Sequence, residues 1–398
     1  MKILIKNGSI FNKNTFCKSD ILIENSIIKK ISPKIEPCSG NVLDAFGMVI
    51  SHGFIDLHTH LREPGFEHKE TIATGTRAAI SGGFTTVCAM PNLNPAPDNL
   101  ENLNIQLKSI KENAVCRVMP FMTITKERKG NSVINMQNFP KFCAGVSDDG
   151  NSIQDSEVME QAMISAAEND VMIAAHCEDY DLSPKSESEY LQLKRDLDFV
   201  KKYKCKYHLC HVSCKESLEL IKKAKDQGLP VTCEITPHHA LFCSDKIATT
   251  NRNTGFLVNP PIRSFEDREA IQAAIKDRTI DIFATDHAPH TFEEKSIYSK
   301  NIENGASGLE CAFAVLNTSL VKTGIIDLKR LLQMMIVIPG KIINLDCDLT
   351  EGKPVDINIL DQYKKWTIKG ENFISKGKST PFEDKKVMGK VINTFFKN

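Results

Sequence analysis

Short apolar runs recur along the chain, and each is followed by a polar turn and then by a segment with helical periodicity. The eight runs lie at 54–60, 84–90, 115–121, 142–148, 171–176, 206–211, 230–236 and 280–286. Helical patterns lie near 69–82, 99–113, 155–169, 187–203, 214–227, 265–277, 307–323 and 327–336. Eight strands that alternate with helices are typical of a parallel barrel, so the predicted fold class is α/β, a (β/α)8 TIM-like barrel.

The two ends of the chain lack this alternation. Residues 1–50 contain short strand patterns separated by turns, as in ILIKNGSIFN, and residues 345–398 contain similar patterns, as in VDINILD. Neither end is long enough to bury a core alone. We therefore predict that 1–50 and 345–398 combine into one small β-rich domain beside a barrel formed by 51–344.

Composition narrows the classes of function. The 50 Lys and Arg residues balance 50 Asp and Glu residues, so no overall charge favours nucleic acid or an anionic membrane. No apolar run approaches the roughly 20 residues that span a bilayer. The 13 cysteines have no regular spacing and the chain begins with a strand-like pattern, which predicts reduced thiols in the cytoplasm.

Metal-binding side chains follow the predicted strands. The strongest signal is the segment 51–65, SHGFIDLHTHLREPG. Because side chains alternate along a strand, His58 and His60 point the same way and can bind one ion. Further polar residues at strand ends are Asn92, Asp149, His176, His211 and Asp286. Since the active site of a barrel lies at the C-terminal strand ends, the pattern predicts a metal site there.

Several motifs together resemble the amidohydrolase superfamily, and within it the dihydroorotases that bridge two metals with an aspartate. They are HLREPG (60–65), AMPN (89–92), PAPD (95–98), SDDG (147–150), AHCED (175–179), HLCHVSCKES (208–217), ITPHH (235–239), NPPIR (259–263), EDREAI (266–271) and ATDHAPH (284–290). The resemblance extends almost from end to end. It implies reversible, metal-dependent hydrolysis of the cyclic amide dihydroorotate to N-carbamoyl-aspartate, a step of pyrimidine biosynthesis.

The resemblance also implies a ligand set for two divalent ions, with zinc favoured by the many histidines. The matching residues are His58, His60, Asp149, His176, His211 and Asp286. The first two histidines and Asp286 match the ligands of one ion, and the last two histidines match those of the other. Asp149 matches the carboxylate that both ions share, with Asp148 as the alternative. His208 is the alternative to His211.

The same resemblance suggests catalytic and substrate contacts. Asp286 matches the residue that accepts the proton of the nucleophile and passes it to the leaving nitrogen. The substrate contacts are expected from Arg62, Asn92, Asn259, His290, Asn304 and Gly305. A guanidinium can bind a carboxylate through two parallel hydrogen bonds, so Arg62 is expected at the ring carboxylate with Asn92 and His290. The other three are expected at the ring amides.

Two alternatives stay open. Other cyclic amidases differ at informative positions: allantoinases usually have asparagine in place of Arg62, and hydantoinases use a carboxylated lysine where this chain has GVS (145–147). Inactive members of the family organise aspartate transcarbamoylase but usually lack metal ligands.

The expected partner is a small-molecule substrate, with no nucleic acid or membrane. Whether the chain forms a homodimer or associates with aspartate transcarbamoylase stays open. His52 stands where the family usually has proline, and the sequence offers no physical reason for it.

Overall fold

The computed structural model describes residues 2–36, 40–247 and 253–397. The N-terminal residues form seven short strands. They are β1 (Lys2–Lys6), β2 (Ser9–Asn12), β3 (Thr15–Lys18), β4 (Asp20–Glu24), β5 (Ile27–Ser32), β6 (Asn41–Asp44) and β7 (Val49–Ser51). Four of them make a sheet of order β5-β4-β1-β6. The apolar residues Ile3, Leu4 and Ile5 of β1 and Ile21 and Ile23 of β4 are buried, and β-branched residues such as isoleucine favour strands.

The end of the chain joins the beginning in a second sheet. Two long strands, which we number β16 (Asp356–Thr367) and β17 (Lys386–Phe396), extend it to the order β17-β16-β7-β2-β3. Strand β16 pairs with β7 so that Ile359 lies opposite Ile50. Both ends supply the apolar core between the sheets, for example Ile21, Ile50 and Ile357. A β-rich part formed by both termini is therefore confirmed, while the division at 50/51 and 344/345 stays a prediction.

Eight parallel strands form the central sheet. They are β8 (Phe54–Thr59), β9 (Phe84–Ala89), β10 (Arg117–Met122), β11 (Gly145–Val146), β12 (Met172–Ala175), β13 (Lys206–Leu209), β14 (Val231–Ile235) and β15 (Ile282–Phe283). Each strand pairs with the next one along the chain. The first strand meets the segment that follows the last strand through a parallel bridge between Thr59 and His287, and His60 N–H donates to His287 O at 2.8 Å. The sheet therefore closes into the predicted barrel, and all eight predicted strands are present.

Helices surround the barrel. They are α1 (Ile72–Ser81), α2 (Leu100–Asn113), α3 (Ser156–Glu168), α4 (Ser186–Tyr203), α5 (Lys215–Asp226), α6 (Pro237–Leu241), α7 (Phe265–Asp277), α8 (Ala312–Leu316), α9 (Leu328–Leu332) and α10 (Ile338–Ile342). Thr71 and Ser264 begin α1 and α7 with reciprocal capping boxes, each cap contributing about 1 kcal/mol. Two π-helical turns, Asn317–Val321 and Gln333–Val337, continue α8 and join α9 to α10. None of the described helices is both long and apolar enough to cross a bilayer.

Between β16 and β17 the chain leaves the terminal sheet and reaches the barrel. Ser307 Oγ donates to Gly377 O at 2.9 Å, and the buried Ser375 hydroxyl donates to Glu70 at 2.5 Å. Glu70 lies just before α1. The two parts of the molecule are therefore in contact beside the C-terminal ends of the barrel strands.

Candidate active site

Four histidines and two aspartates converge at the C-terminal ends of the barrel strands, each at most 6% exposed. They are His58 and His60 on β8 and just after it, Asp149 after β11, His176 after β12, His211 after β13 and Asp286 after β15. Asp149 lies at the centre. Its Oδ1 is 3.4 Å from His58 Nε2, 3.4 Å from His211 Nε2 and 3.6 Å from His176 Nδ1. Its Oδ2 is 3.4 Å from His60 Nε2.

Asp286 completes the cluster on one side. Its Oδ1 lies 3.2 Å from His60 Nε2 and 3.5 Å from His58 Nε2. The backbone φ of Asp286 is +47°, and those of His211 and Arg62 are +30° and +62°. This left-handed region is unfavourable for residues with a side chain and is found mainly where the surroundings impose it, often at functional sites.

The cluster has the donor set and the geometry that a divalent metal requires. The ligand atoms of His58, His60 and Asp149 lie within 4.8 Å of one another, and so do those of Asp149, His176 and His211. His58 Nε2 and Asp149 Oδ1 are buried and have no hydrogen-bond partner. Buried polar atoms without partners are costly, so these two atoms fit metal ligation. The two groups share Asp149.

The structure separates the two alternatives that the sequence left open. Asp148 turns away from the cluster and accepts hydrogen bonds from Ile124 N–H and the Thr125 hydroxyl. His208 contacts Thr232 and Glu234 but not Asp149. The cluster thus contains Asp149 and His211, the two residues that the sequence favoured.

Acceptors behind the cluster orient the histidines. Glu234, fully buried on β14, lies 2.5 Å from His58 Nδ1 and 3.1 Å from His208 Nε2. Asn92 Oδ1 lies 2.9 Å from His60 Nδ1, and Glu178 Oε2 lies 3.0 Å from His176 Nε2. A hydrogen-bond acceptor on the outer nitrogen keeps the other nitrogen free for a metal. The rings of His58, His60 and His176 are therefore each held in one orientation toward the centre of the cluster.

The charges in and behind the cluster shift the pKa values of His58 and Glu234 in opposite directions. Burial alone lowers the pKa of His58, but Asp149, Glu234 and Asp286 outweigh it and place that pKa well above the ordinary value. Burial raises the pKa of Glu234, but His58 and His208 outweigh it and lower the pKa to about 2. The carboxylate of Glu234 is therefore ionised beside an imidazole whose protonated form is favoured, an arrangement in which a divalent cation can take the place of a proton.

Comparison with known proteins identifies the family. Residues 47–196 match the family model described as Dihydro-orotase-like. A dihydroorotase of Fusobacterium nucleatum subsp. nucleatum is 42% identical over 406 residues, covering 97% of this chain and 95% of its own. A dihydroorotase of Staphylococcus aureus strain Mu50 is also 42% identical, covering 98% of this chain and 97% of its own. The chain belongs to the dihydroorotase family. The resemblance inferred from the motifs is thereby confirmed.

Solved structures agree at the level of the fold. A D-hydantoinase has a TM-score of 0.88 at 20% identity, covering 100% of this chain and 94% of its own. The dihydropyrimidinase of Brevibacillus agri NCHU1002 has a TM-score of 0.86 at 21% identity, covering 99% and 93%. Such identities support the shared barrel architecture alone.

A pocket of about 400 Å³ opens over the cluster of this dihydroorotase-family chain. All six residues that the sequence proposed as substrate contacts line it, namely Arg62, Asn92, Asn259, His290, Asn304 and Gly305. Two of them are also tied to the cluster, because Asn92 Oδ1 is the acceptor at His60 Nδ1 and Asn259 Nδ2 donates to Glu178 Oε2 at 3.0 Å. A wider groove of about 830 Å³ lies beside the terminal sheets, and no residue of the cluster lines it.

Positive groups gather on the side of the pocket formed by loops. Arg62 Nη2 lies 3.2 Å from His290 Nε2, and Lys69 Nζ lies 3.3 Å from His290 Nδ1. Lys69 Nζ also lies 3.0 Å from Glu294 Oε1. Burial together with Arg62 and Lys69 lowers the pKa of His290 to about 3, so this imidazole is neutral between two cations.

Three residues of the pocket and its supports were missed by sequence reasoning. Glu234 lies within an apolar strand, and an acidic residue in such a run is itself a signal of a buried partner. Glu178 follows His176 by two residues in AHCED. Lys69 belongs to the polar loop after β8, where nothing in the pattern distinguishes it from a solvated lysine.

Proposed function

We propose that this chain is a dihydroorotase, which hydrolyses the cyclic amide of dihydroorotate to N-carbamoyl-aspartate and catalyses the reverse ring closure. The observation that carries the proposal is one pocket with a metal-type cluster on one side and the buried guanidinium of Arg62 on the other. A ring amide that carries a carboxylate fits both sides. The names of relatives 42% identical over nearly the full length support the same reaction.

We propose two divalent ions as the cofactors, with zinc favoured by the imidazole-rich donors. His58, His60 and Asp286 would hold one ion, His176 and His211 would hold the other, and Asp149 would be shared. When bound, such ions make water a stronger acid and polarise a carbonyl oxygen. The two unpartnered buried atoms, His58 Nε2 and Asp149 Oδ1, support this assignment.

Asp286 is our candidate for proton transfer. Its carboxylate lines the pocket and is kept ionised by the neighbouring histidines, which lower its pKa against the effect of burial. An ionised carboxylate in this position can accept a proton from the attacking water and deliver it to the leaving ring nitrogen. Ring closure uses the same groups in reverse order by microscopic reversibility.

The loop residues would recognise the substrate. We propose that Arg62 binds the ring carboxylate through two hydrogen bonds, with Asn92 and His290 beside it. Asn259 and the backbone at Asn304 and Gly305 would bind the ring amides. Strand β11 is Gly145–Val146 and supplies no lysine, which favours the aspartate-bridged type over a hydantoinase.

The decisive experiment follows the conversion of dihydroorotate and of N-carbamoyl-aspartate by purified protein. Assays are run with zinc, after chelation and after zinc is added back. Metal-dependent conversion in both directions is expected. Turnover of allantoin or a hydantoin, without turnover of dihydroorotate, would assign another cyclic amidase. Absence of both activity and bound metal would favour a scaffold protein.

We further propose a cytoplasmic location, and either a homodimer or an association with aspartate transcarbamoylase. Light scattering of the purified chain, alone and mixed with an aspartate transcarbamoylase, measures both assemblies. If the chain has a monomeric mass in both samples, neither the homodimer nor the association with aspartate transcarbamoylase forms.

A further inference from the structure

Lys69 lies at the rim of the pocket, in the loop between β8 and α1. Its side chain is only 14% exposed and lines the pocket together with Arg62 and His290. Lysines are rarely buried to this degree without a partner or a function, because burial of the ammonium is costly. The groups that surround its ammonium, His290 and Glu294, therefore indicate its role.

The hydrogen bonds around His290 select one tautomer. An ammonium group can only donate, so His290 Nδ1 accepts from Lys69 at 3.3 Å. The ring proton then lies on Nε2, which faces Asn304 O at 2.9 Å. The other neutral tautomer would direct its proton to Glu294 Oε2 at 3.4 Å and let Nε2 accept from Arg62 Nη2 at 3.2 Å. It would also set Nδ1–H against the Lys69 ammonium at 3.3 Å and leave Asn304 O without this donor. The shorter contact and the position of Lys69 both favour the proton on Nε2.

This tautomer makes two donors face each other. Arg62 Nη2 lies 3.2 Å from His290 Nε2, and both nitrogens carry hydrogens. Two facing donors repel unless an acceptor lies between or beside them. A carboxylate oxygen is such an acceptor, and it would also be attracted by the Lys69 ammonium on the far side of the imidazole.

We propose that Lys69 is a substrate-recognition residue, which positions His290 as an Nε2–H donor and adds a second positive charge to the Arg62 side for the substrate carboxylate. The inference rests on the proposed function, because the carboxylate belongs to that substrate. Glu294 moderates the charge, since its Oε1 lies 3.0 Å from Lys69 Nζ. Glu294 therefore opposes anion binding while Lys69 favours it.

Lys69→Met removes the ammonium and retains the length of the side chain. We expect KM for dihydroorotate to rise about tenfold with kcat changed less than about twofold, because the lost charge and the less firmly held His290 affect a nonreacting carboxylate and therefore act mainly on binding. Calorimetry with orotate, a ring that carries the same carboxylate, should show affinity about tenfold weaker. Since the overall equilibrium constant is fixed, kcat/KM should fall by the same factor in both directions.

Three controls separate recognition from a structural role. Lys69→Arg keeps a donor and a charge, so it should restore most of the orotate affinity. Lys201→Met on α4 makes the same change in net charge at an exposed site and should have no effect on binding. Zinc content and thermal midpoint should be unchanged in all variants.

Glu294→Gln tests the sign and does not depend on the folding of Lys69→Met. It removes the acidic partner of Lys69 and should tighten orotate binding. Unchanged orotate affinity in Lys69→Met, or weakened affinity in Glu294→Gln, would overturn the inference. The wild type is assayed with dihydroorotate in the same series. A failure of the proposed function would appear in the wild type, whereas a failure of this inference would appear only in the variants.

Discussion

Two sides of the pocket are built in different ways, and we name them after their proposed roles. The metal side is the cluster of four histidines and two aspartates, and the carboxylate side consists of Arg62, Lys69, His290 and Asn304. On the metal side the cluster residues lie at or directly after strand ends, so the barrel fixes where they lie. On the carboxylate side Arg62, Lys69, His290 and Asn304 come from loops, whose positions depend on hydrogen bonds between them. Lys295 Nζ, for example, donates to Leu257 O at 3.2 Å and to Glu303 O at 2.8 Å.

The difference suggests a division of labour. Rigid strand ends can hold ligands at the short, fixed distances that metal ions require. Loops joined by hydrogen bonds can bind a carboxylate and adapt to the small change in shape between an open and a closed ring. Substitutions on the metal side should therefore remove turnover or metal, whereas substitutions on the carboxylate side should change KM.

The largest effect is expected from Asp286→Asn. The amide keeps the size of the side chain but cannot accept the proton, so turnover should fall by a factor of about 10²–10⁴ with the fold intact. Steady-state rates and circular dichroism measure the two quantities. Activity close to the wild type would show that Asp286 does not transfer the proton. It would also contradict the expectation that substitutions on the metal side remove turnover.

Glu234→Gln tests whether the carboxylate behind His58 is needed to orient that proposed ligand. Loss of the negative charge between His58 and His208 should weaken zinc binding about 10–100-fold, as is typical for acceptors behind metal ligands. Competition with a chelator measures the affinity. The matched control is Glu160→Gln, in which the altered carboxylate binds Lys202 at the surface. Equal zinc affinity in both variants would show that the barrel alone orients His58.

Arg62→Ala tests the carboxylate side. Loss of the guanidinium should raise KM for dihydroorotate about 100-fold while zinc content stays near that of the wild type. Arg62→Lys is the informative control, because an ammonium keeps the charge but cannot form two parallel hydrogen bonds. An unchanged KM in Arg62→Ala would rule out the proposed carboxylate contact. A large loss of zinc would show that the two sides are not separable.

The same contrast explains what could be predicted from the sequence. The pattern placed the strands within a few residues, as at 206–211 against Lys206–Leu209, because apolar runs and turns are local signals. His58 and His60 could be paired because alternation along β8 is also local. Asp149 and His211 could be preferred to their neighbours only through the family resemblance.

The remaining features depend on contacts between distant segments. Glu234 meets His58 across 176 positions of sequence, and Ser375 meets Glu70 across 305. Lys69 lies in a polar loop where its neighbours in sequence suggest exposure. No local pattern encodes such contacts, because they arise only after the barrel closes and the C-terminal segment folds against it.

His52 gives the smallest expected effect and a test at the other end of β8. It lies between β7 and β8, with Nε2 3.3 Å from Asp356 Oδ2 and Nδ1 2.8 Å from Gly53 O. Asp356 begins β16 and is 8% exposed, so the contact joins the terminal sheet to the base of the barrel. This is a physical reason for histidine at a position where the family usually has proline.

His52→Ala should lower the free energy of unfolding by about 1 kcal/mol, because Gly53 O loses its contact to the ring and Asp356 loses a close neighbour. Urea unfolding measures the change, and His52→Gln should recover part of it since an amide can donate to Asp356. KM and kcat should be unchanged, because both sides of the pocket lie at the opposite ends of the strands. A change in KM would mean that the base of the barrel is coupled to the loops. The carboxylate side would then depend on the terminal sheets as well as on its own hydrogen bonds.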